Sequence, residues 1–208
     1  MDTNGGVPTC CVMVHDGGGG NGSFPYINGQ HLEPYASIPY GYSTISDAGC
    51  EAIACYNTLV DLGMPESFSK VMVYFAECFY LFPSSGWGMG GRFGASPDDI
   101  AVFLDLKGIE YKKMSVLDNI AAPLELRDFI SSGPAPGVFI VSYWNEEPLK
   151  YGYHTIAIKY NGCQFTAYNW NTNTNQAYTR GSIYDFTTIN TFGYYSVLSA
   201  FYIPYAQN

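Results

Sequence analysis

A helix that opens on a cysteine is predicted by residues 47–59, which read DAGCEAIACYNTL. Apolar side chains recur in this segment at helical spacing, and Gly63 is a natural C-terminal stop. Ser46 or Asp47 is expected to cap the N-terminus. A thiol in the first turn of a helix can act as a nucleophile, because the helix N-terminus and a nearby imidazolium lower its pKa. The plainer interpretation of Cys50 is a small side chain buried in the core.

Around this segment the sequence predicts further helices first and strands afterwards. Three more helices are expected at residues 67–82, 96–108 and 123–130, the second with Ser96 as N-cap and Pro97 in its first turn. Strands are expected at 138–143, 154–160, 163–168, 177–179 and 194–203, with a hairpin turn at Asn161-Gly162. This order predicts an α+β domain in which N-terminal helices are followed by an antiparallel β-sheet.

The first forty residues differ in composition from the rest of the chain. A glycine run at residues 17–20 is followed by several prolines. We therefore predict an extended, Gly/Pro-rich N-terminal arm at residues 1–40 and a single domain at 41–208. Aromatic side chains of the arm, such as Tyr26, are expected to fasten it to the domain. A second glycine-rich segment, at residues 86–94, is expected to form a lid or the rim of a cleft.

The composition argues against several classes of partner. The formal net charge is −9, from 9 basic and 18 acidic residues, so nucleic acid and anionic membranes are poor partners. No segment reaches the ~18 apolar residues of a membrane span, and no signal peptide is visible at the start of the chain. The six cysteines lack metal-ligand spacing, so no metal is expected. A secreted or cell-surface location is favoured over a cytoplasmic one, and the oligomeric state is left open.

Of the three histidines, only His154 falls in the predicted sheet, whereas His15 and His31 belong to the arm. His154 opens a predicted strand and faces Asn169, which ends the next strand across the hairpin. A side-chain amide in that place would hold the imidazole in the orientation that a general base needs. Asn171 is the alternative for this role, although its surroundings are typical of a turn. Taken singly, each residue also fits an ordinary hydrogen bond in the sheet.

Three segments resemble the bacterial papain-like cysteine peptidases, in particular the branch related to the bacteriocin-processing, double-glycine-leader peptidases. They are the cysteine helix at 47–59, the segment at 94–108, and the histidine strand with its neighbour at 153–169. The resemblance implies a papain-like fold and a cysteine peptidase or amide hydrolase. Cys50 would be the nucleophile, His154 the base and Asn169 the residue that orients it. A covalent acyl-enzyme, a peptide or protein substrate and no cofactor are also implied.

Two positions depart from the pattern of that family. Its members usually carry an oxyanion-hole glutamine shortly before the cysteine, where this sequence has Thr44. Thr44 and Ser46 are therefore the candidate oxyanion donors. Glu51 follows the cysteine, and its carboxylate is expected to oppose thiolate formation. Two alternatives stay open: a weakly active or inactive papain-like binding domain of a larger or secreted bacterial protein, and an acyltransferase or deamidase with the same triad.

Overall fold

The structure is a computed structural model that describes residues 24–40, 43–81, 95–115, 122–144, 152–187 and 197–206. Its main sheet has six strands: β3 (Lys112–Ser115), β4 (Gly137–Trp144), β5 (Tyr153–Tyr160), β6 (Phe165–Tyr168), β7 (Tyr178–Arg180) and β8 (Val197–Pro204). Neighbouring strands are antiparallel, in the order β3-β8-β4-β5-β6-β7. A separate two-stranded ladder joins β1 (Pro39–Tyr40) to β2 (Ser43–Thr44).

Six helices accompany the sheet in the described residues. They are α1 (Ile45–Ala48), α2 (Cys50–Asp61), α3 (Phe68–Leu81), α4 (Pro97–Leu106), α5 (Ala122–Ser131) and α6 (Tyr184–Thr187). The expected mixture of helices and antiparallel sheet is confirmed, and the four predicted helices correspond to α2, α3, α4 and α5. At α4 the predicted cap is present, because Ser96 Oγ accepts from the backbone N–H of Asp99 at 3.2 Å.

Five short elements are missing from the sequence-based prediction: the two-residue strands β1 and β2, strand β3, and helices α1 and α6. Strand β3 contains two lysines in four residues, which gives it a low strand propensity, and it lies at a sheet edge, where lysines discourage further pairing. Helices α1 and α6 have four residues each, too few to show a hydrophobic period. Because α1 takes up Ser46 and Asp47, the N-cap of α2 is Gly49, and the predicted cap at Ser46 or Asp47 is wrong.

The sheet separates two hydrophobic cores, and α2 fills one of them. On β4, Ile140 belongs to the core on the α2 side, whereas Phe139 and Val141 belong to the opposite core, where α5 contributes Leu126. This alternation follows from the two-residue period of a strand. Because both faces are covered, β4 is buried along nearly its whole length, as its continuous apolar run predicts. Helix α2 packs against β4 and β5.

The described part of the arm, residues 24–40, packs onto the domain. Ile27 is buried in the core on the α2 side. The Asn57 side chain on α2 accepts from the backbone N of Ile27 at 2.9 Å and donates to its carbonyl at 2.8 Å. The Tyr26 ring stacks on Tyr168, with centroids 4.1 Å apart. The arm thus connects α2 with the end of β6. Residues 1–23 and the predicted lid at 86–94 lie outside the described residues.

Substitution of Gly137 by alanine is expected to destabilise the protein. A Cβ at this position would overlap the carbonyl oxygen of Ile203 and lie 2.9 Å from Cε2 of Tyr202, so β4 and β8 would have to move apart. Overpacking of this kind typically costs about 1–3 kcal/mol. Gly181→Ala is the matched control, since nothing lies within 4 Å of its added Cβ. Urea unfolding should give a lower midpoint for Gly137→Ala alone, and equal midpoints would contradict the pairing of β4 with β8.

Candidate active site

Cys50 is the first residue of α2, where a close contact between two helices fixes the backbone. A Cβ on Gly49 would lie 2.5 Å from Cδ1 and 2.9 Å from Cα of Ile45, so a glycine is required where α1 meets α2. No side chain caps α2 at Gly49. The positive end of the helix dipole therefore lies beside the thiol, where it favours negative charge.

The immediate environment nevertheless keeps the Cys50 thiol protonated. Only 6% of the residue is exposed, and burial raises the pKa of the thiol well above its usual value. The negative charge of Glu51 raises this pKa further. The backbone N–H and the hydroxyl of Thr155 act in the opposite direction, because hydrogen bonds to the sulfur favour the thiolate. The sulfur thus lies against donors on β5 without being ionised by them.

The His154 ring is held by a hydrogen bond to the turn after β6. Its Nε2 lies 2.7 Å from the backbone carbonyl oxygen of Asn169. A carbonyl can only accept, so Nε2 carries the proton and Nδ1 of the neutral ring keeps its lone pair. Burial lowers the pKa of His154 to about 4, against the opposing effect of that hydrogen bond. The imidazole is therefore neutral at pH 7 and can accept a proton through Nδ1.

Asn169 contacts His154 through its main chain, whereas the sequence predicted a contact through its side chain. Residue 169 is left-handed, with φ 58°, a conformation that asparagine adopts more readily than most residues. The side chain faces the arm instead. Its Oδ1 accepts from the backbone N of Gln30 at 3.0 Å, and its Nδ2 donates to Gln30 Oε1 at 2.9 Å. The ring of His154 is thus oriented by the backbone of residue 169, and the amide orients the arm.

The two residues that follow Asn169 in this turn are engaged elsewhere. The Nδ2 of Asn171, the alternative third residue, lies 3.5 Å from the Tyr178 hydroxyl, which can accept from it. The Trp170 indole N–H donates to the carbonyl of Phe186 at 2.9 Å, and its ring packs against Tyr178 and Phe186. Asn169 is therefore the asparagine of this turn that contacts His154.

Gln30 belongs to this site, and the sequence reasoning missed it. The residue is 4% exposed, and its Nε2 donates to the carbonyls of Ile45 and Ser46 at 2.8 and 3.0 Å. Its Oε1 accepts from Asn169, so one side chain joins the approach to α2 with the turn that holds His154. Gln30 is the only glutamine ahead of Cys50, which is the feature that would have drawn attention to it.

The two predicted oxyanion donors use their polar atoms away from the thiol. The Thr44 hydroxyl donates to the carboxylate of Asp47 at 3.2 Å. The Ser46 carbonyl accepts from Gln30, and its backbone N donates to the carbonyl of Ala36 at 3.3 Å. Within the described residues, neither hydroxyl is hydrogen-bonded to Cys50. Any oxyanion role for Thr44 would require its hydroxyl to leave Asp47.

Glu51 places a buried carboxyl directly beside the thiol. It is 1% exposed, its Oε1 accepts a long hydrogen bond of 3.5 Å from the Thr155 hydroxyl, and its Oε2 has no hydrogen-bond partner in the described part of the chain. Burial raises the pKa of Glu51 to about 7, against the lowering effect of nearby groups, among them Cys50 and Tyr153. Glu51 therefore changes its charge near neutral pH, one residue from the candidate nucleophile.

The three predicted catalytic residues lie at one end of the sheet. Cys50 borders Thr155, the residue that follows His154 on β5. The Tyr143 ring lies edge-on to the His154 ring, with centroids 5.9 Å apart, and burial, followed by the proximity of Cys50, raises the pKa of the Tyr143 hydroxyl. Within the described residues, no hydrogen bond joins the Cys50 sulfur to the His154 ring. Thr155 turns its hydroxyl to Glu51 on α2, whereas His154 is paired with Tyr143 of the opposite core, so Cys50 borders the strand position next to that of the His154 ring.

The remaining groups that bear on the chemistry are few. The described residues contain no cluster of three or more histidine, cysteine, aspartate or glutamate side chains able to hold a metal ion. Of the cysteines described, Cys50 and Cys55 are buried free thiols, and Cys163 is an exposed one. No helix in these parts of the chain is long and apolar enough to cross a membrane.

Comparison with known proteins gives a distant structural likeness. No protein-family model matches the sequence, and no curated protein matches it. Among solved structures, the chain is similar to the crystal structure of the Pseudomonas avirulence protein AvrPphB, with 11% identity and a TM-score of 0.38. The match covers 74% of this chain and 89% of that chain. A likeness this distant carries no argument about function, so the site has to be interpreted from its own geometry.

Replacement of Glu51 by glutamine is expected to change how stability depends on pH. The folded state holds the Glu51 proton up to about pH 7, whereas the ordinary pKa is 4.5. The folded protein therefore binds more protons than the unfolded chain between these values, and the free energy of unfolding falls as pH rises through that window. The full effect corresponds to about 3 kcal/mol. In urea unfolding, the stability of Glu51→Gln relative to wild type should rise between pH 5 and pH 8.

The variant has to be compared with wild type because the titration of His154 changes the free energy of unfolding in the opposite direction to that of Glu51. The lowered pKa of His154 makes stability fall as pH drops from 6.5 towards about 4. Both proteins share this contribution, so their difference isolates Glu51. Glu110→Gln, at an exposed position, is the control and should track wild type at both pH values. If Glu51→Gln also tracks wild type, the carboxyl is not buried as described.

Proposed function

We propose that this protein is a papain-like cysteine hydrolase that cleaves peptide or amide bonds through an acyl-enzyme, with Cys50 as nucleophile and His154 as base. One observation carries the proposal. The hydrogen bond from His154 Nε2 to the carbonyl of Asn169, 2.7 Å long, selects the tautomer whose Nδ1 accepts a proton, and the residue after His154, Thr155, borders Cys50 at the N-terminus of α2. Nucleophilic catalysis needs a neutral, oriented imidazole within reach of a thiol, so the proposal requires the His154 ring to meet the Cys50 sulfur in the substrate complex.

The proposed reaction uses His154 twice. As the Cys50 sulfur attacks the substrate carbonyl carbon, its proton moves to Nδ1 of His154. The imidazolium then gives this proton to the departing amine, the C–N bond breaks, and an acyl thioester remains. Water attacks the thioester while His154 accepts one of its protons, and the returned proton restores the thiol as the acid leaves. The carbonyl of Asn169 supports the imidazolium throughout by accepting from Nε2.

The resting site is proposed to be neutral rather than a thiolate–imidazolium pair. Burial raises the pKa of Cys50 and lowers that of His154, so both groups favour their uncharged forms before substrate arrives. Proton transfer would then accompany attack instead of preceding it. Loss of one oxyanion donor costs about 10²–10³ in rate, and the Thr44 hydroxyl is bonded to Asp47 in the resting structure. We therefore expect slow turnover compared with an enzyme that has a preformed oxyanion hole.

A papain-like domain that binds peptides without cleaving them is the second candidate. The observations that favour it are the burial of the Cys50 thiol and the missing hydrogen bond between this thiol and the His154 ring among the described residues. A buried carboxyl at Glu51 also opposes thiolate formation. The hydrolase is preferred because the orientation of the His154 ring by the Asn169 carbonyl gives a binding domain no advantage.

Cys50→Ala and His154→Ala are each expected to abolish cleavage of a peptide library digested with the wild-type protein. The loss should exceed about 10³-fold, because nucleophile and base act as a unit. Cleavage products are counted by mass spectrometry, so no substrate has to be known in advance. Cys163→Ala is the matched control, since this thiol is free and exposed, and it should cleave like wild type. Undiminished cleavage by Cys50→Ala would contradict the proposed function.

The pH profile of cleavage should lack the usual histidine limb near pH 6.5. Because burial lowers the pKa of His154 to about 4, the base stays neutral down to that pH. Activity on the best cleaved peptide, measured as kcat/KM, is expected to fall on the acid side only near pH 4. An acid limb close to pH 6.5 that persists in Glu51→Gln would show that the imidazole is not desolvated as described.

A further inference from the structure

We propose that Gln30 of the N-terminal arm is a positioning residue for His154, which acts through Asn169 and makes the docked arm part of the catalytic apparatus. The inference rests on the proposed function, since the base whose orientation is at issue belongs to that reaction. It concerns a residue with no predicted role, located twenty positions before Cys50 in the sequence.

Every polar atom of Asn169 has a partner, and all but one of these partners lie on the arm. The backbone N donates to Asn28 Oδ1 at 3.4 Å, Oδ1 accepts from Gln30 N, and Nδ2 donates to Gln30 Oε1. The remaining atom, the carbonyl oxygen, accepts from His154. Asn169 is 0% exposed, so water replaces none of these contacts. The direction of its carbonyl is therefore set by the arm.

The conformation of residue 169 makes this support necessary. A non-glycine residue in the left-handed region is strained relative to the helical or extended regions, and it persists where the surroundings over-determine it. Without the Gln30 side chain, the buried Nδ2 of Asn169 would lose its partner, a cost of about 1–3 kcal/mol, while Oδ1 would keep only the backbone N of residue 30. The turn would then relax towards another conformation, and the carbonyl would no longer meet Nε2 of His154.

Gln30 also fixes the other half of the site. Its Nε2 donates to the carbonyls of Ile45 and Ser46, which immediately precede the cysteine helix. Both amide hydrogens are used in this way, so Gln30 has none left to offer a substrate oxyanion. One buried side chain therefore sets the distance between the turn that orients His154 and the backbone that leads into Cys50. Its role is to position these groups without touching the reacting atoms.

The test compares Gln30→Met, which keeps the length of the side chain but loses its hydrogen bonds, with Tyr26→Phe. Tyr26 fastens the same arm at another point, where its hydroxyl donates to Asp61 at 2.7 Å, so this control removes an arm contact that does not involve Asn169. The first readout is the nitrogen NMR spectrum of the His154 ring. Wild type and Tyr26→Phe should show the Nε2–H tautomer alone, whereas Gln30→Met should show a mixture of tautomers. Its His154 pKa should also fall further below the ordinary value of 6.5, because the hydrogen bond to the Asn169 carbonyl raises this pKa and would be lost.

The second readout is cleavage of the best library peptide. Gln30→Met should lower kcat by roughly 10- to 100-fold with KM within about twofold, because a misplaced base slows the chemical step rather than binding. Tyr26→Phe should lower the unfolding midpoint while keeping kcat. A merely structural role for Gln30 would lower stability in the same way but would leave the tautomer and kcat unchanged, and that result would overturn the inference.

The tautomer readout needs no substrate, so it separates this inference from the proposed function. If wild type cleaves nothing but Gln30→Met loses the single tautomer, the positioning role stands and the hydrolase fails. If cleavage depends on Cys50 but Gln30→Met retains both tautomer and kcat, the positioning role fails alone. Should Gln30→Met not fold, Gln30→Asn carries the same comparison, since its amide is one methylene too short to reach both Ser46 and Asn169.

Discussion

The site depends on one residue, Asn169, whose backbone and side chain are bound in opposite directions. Its left-handed conformation directs the carbonyl to His154, and hydrogen bonds to Asn28 and Gln30 hold that conformation. Because Asn169 is buried, breaking any of these hydrogen bonds leaves a polar atom without a partner. The loss in stability is then about 1–3 kcal/mol. The imidazole tautomer, and with it the direction of the proposed proton transfer, follows from this single turn.

The sequence was sufficient for the helix that bears Cys50, for most of the strands, and for the choice of His154 and Asn169 as neighbours. These follow from local rules such as helical and strand periodicity and the hairpin turn at Asn161-Gly162, just as the N-cap at Ser96 marks the start of α4. The contacts of Asn169 were beyond such rules, since a pattern of residue types does not reveal a positive φ. Nor does it show whether a main-chain or side-chain oxygen will face the ring.

The arm illustrates the same limit over a longer distance. Residues 24–40 contain turns and one short strand, which is close to what their composition predicts. Their role, however, comes from pairing Gln30 with a residue 139 positions later, and no local period encodes that contact. Strand β3 was missed for a related reason. Its lysines suit an exposed sheet edge, and the edge exists only once β8 has returned to pair with it.

Three ionisable groups of the site are buried, and their burial determines how the thiol can react. Burial of Cys50, Glu51 and His154 favours the neutral form of all three, so the thiol becomes nucleophilic only if the imidazole takes its proton. The most direct measurement is the rate of Cys50 alkylation by iodoacetamide, followed by intact mass at pH 7 in wild type and His154→Gln. We expect Cys50 to react at least tenfold more slowly in His154→Gln, while Cys163 reacts equally in both proteins. Equal rates at Cys50 would show that His154 does not act on this thiol.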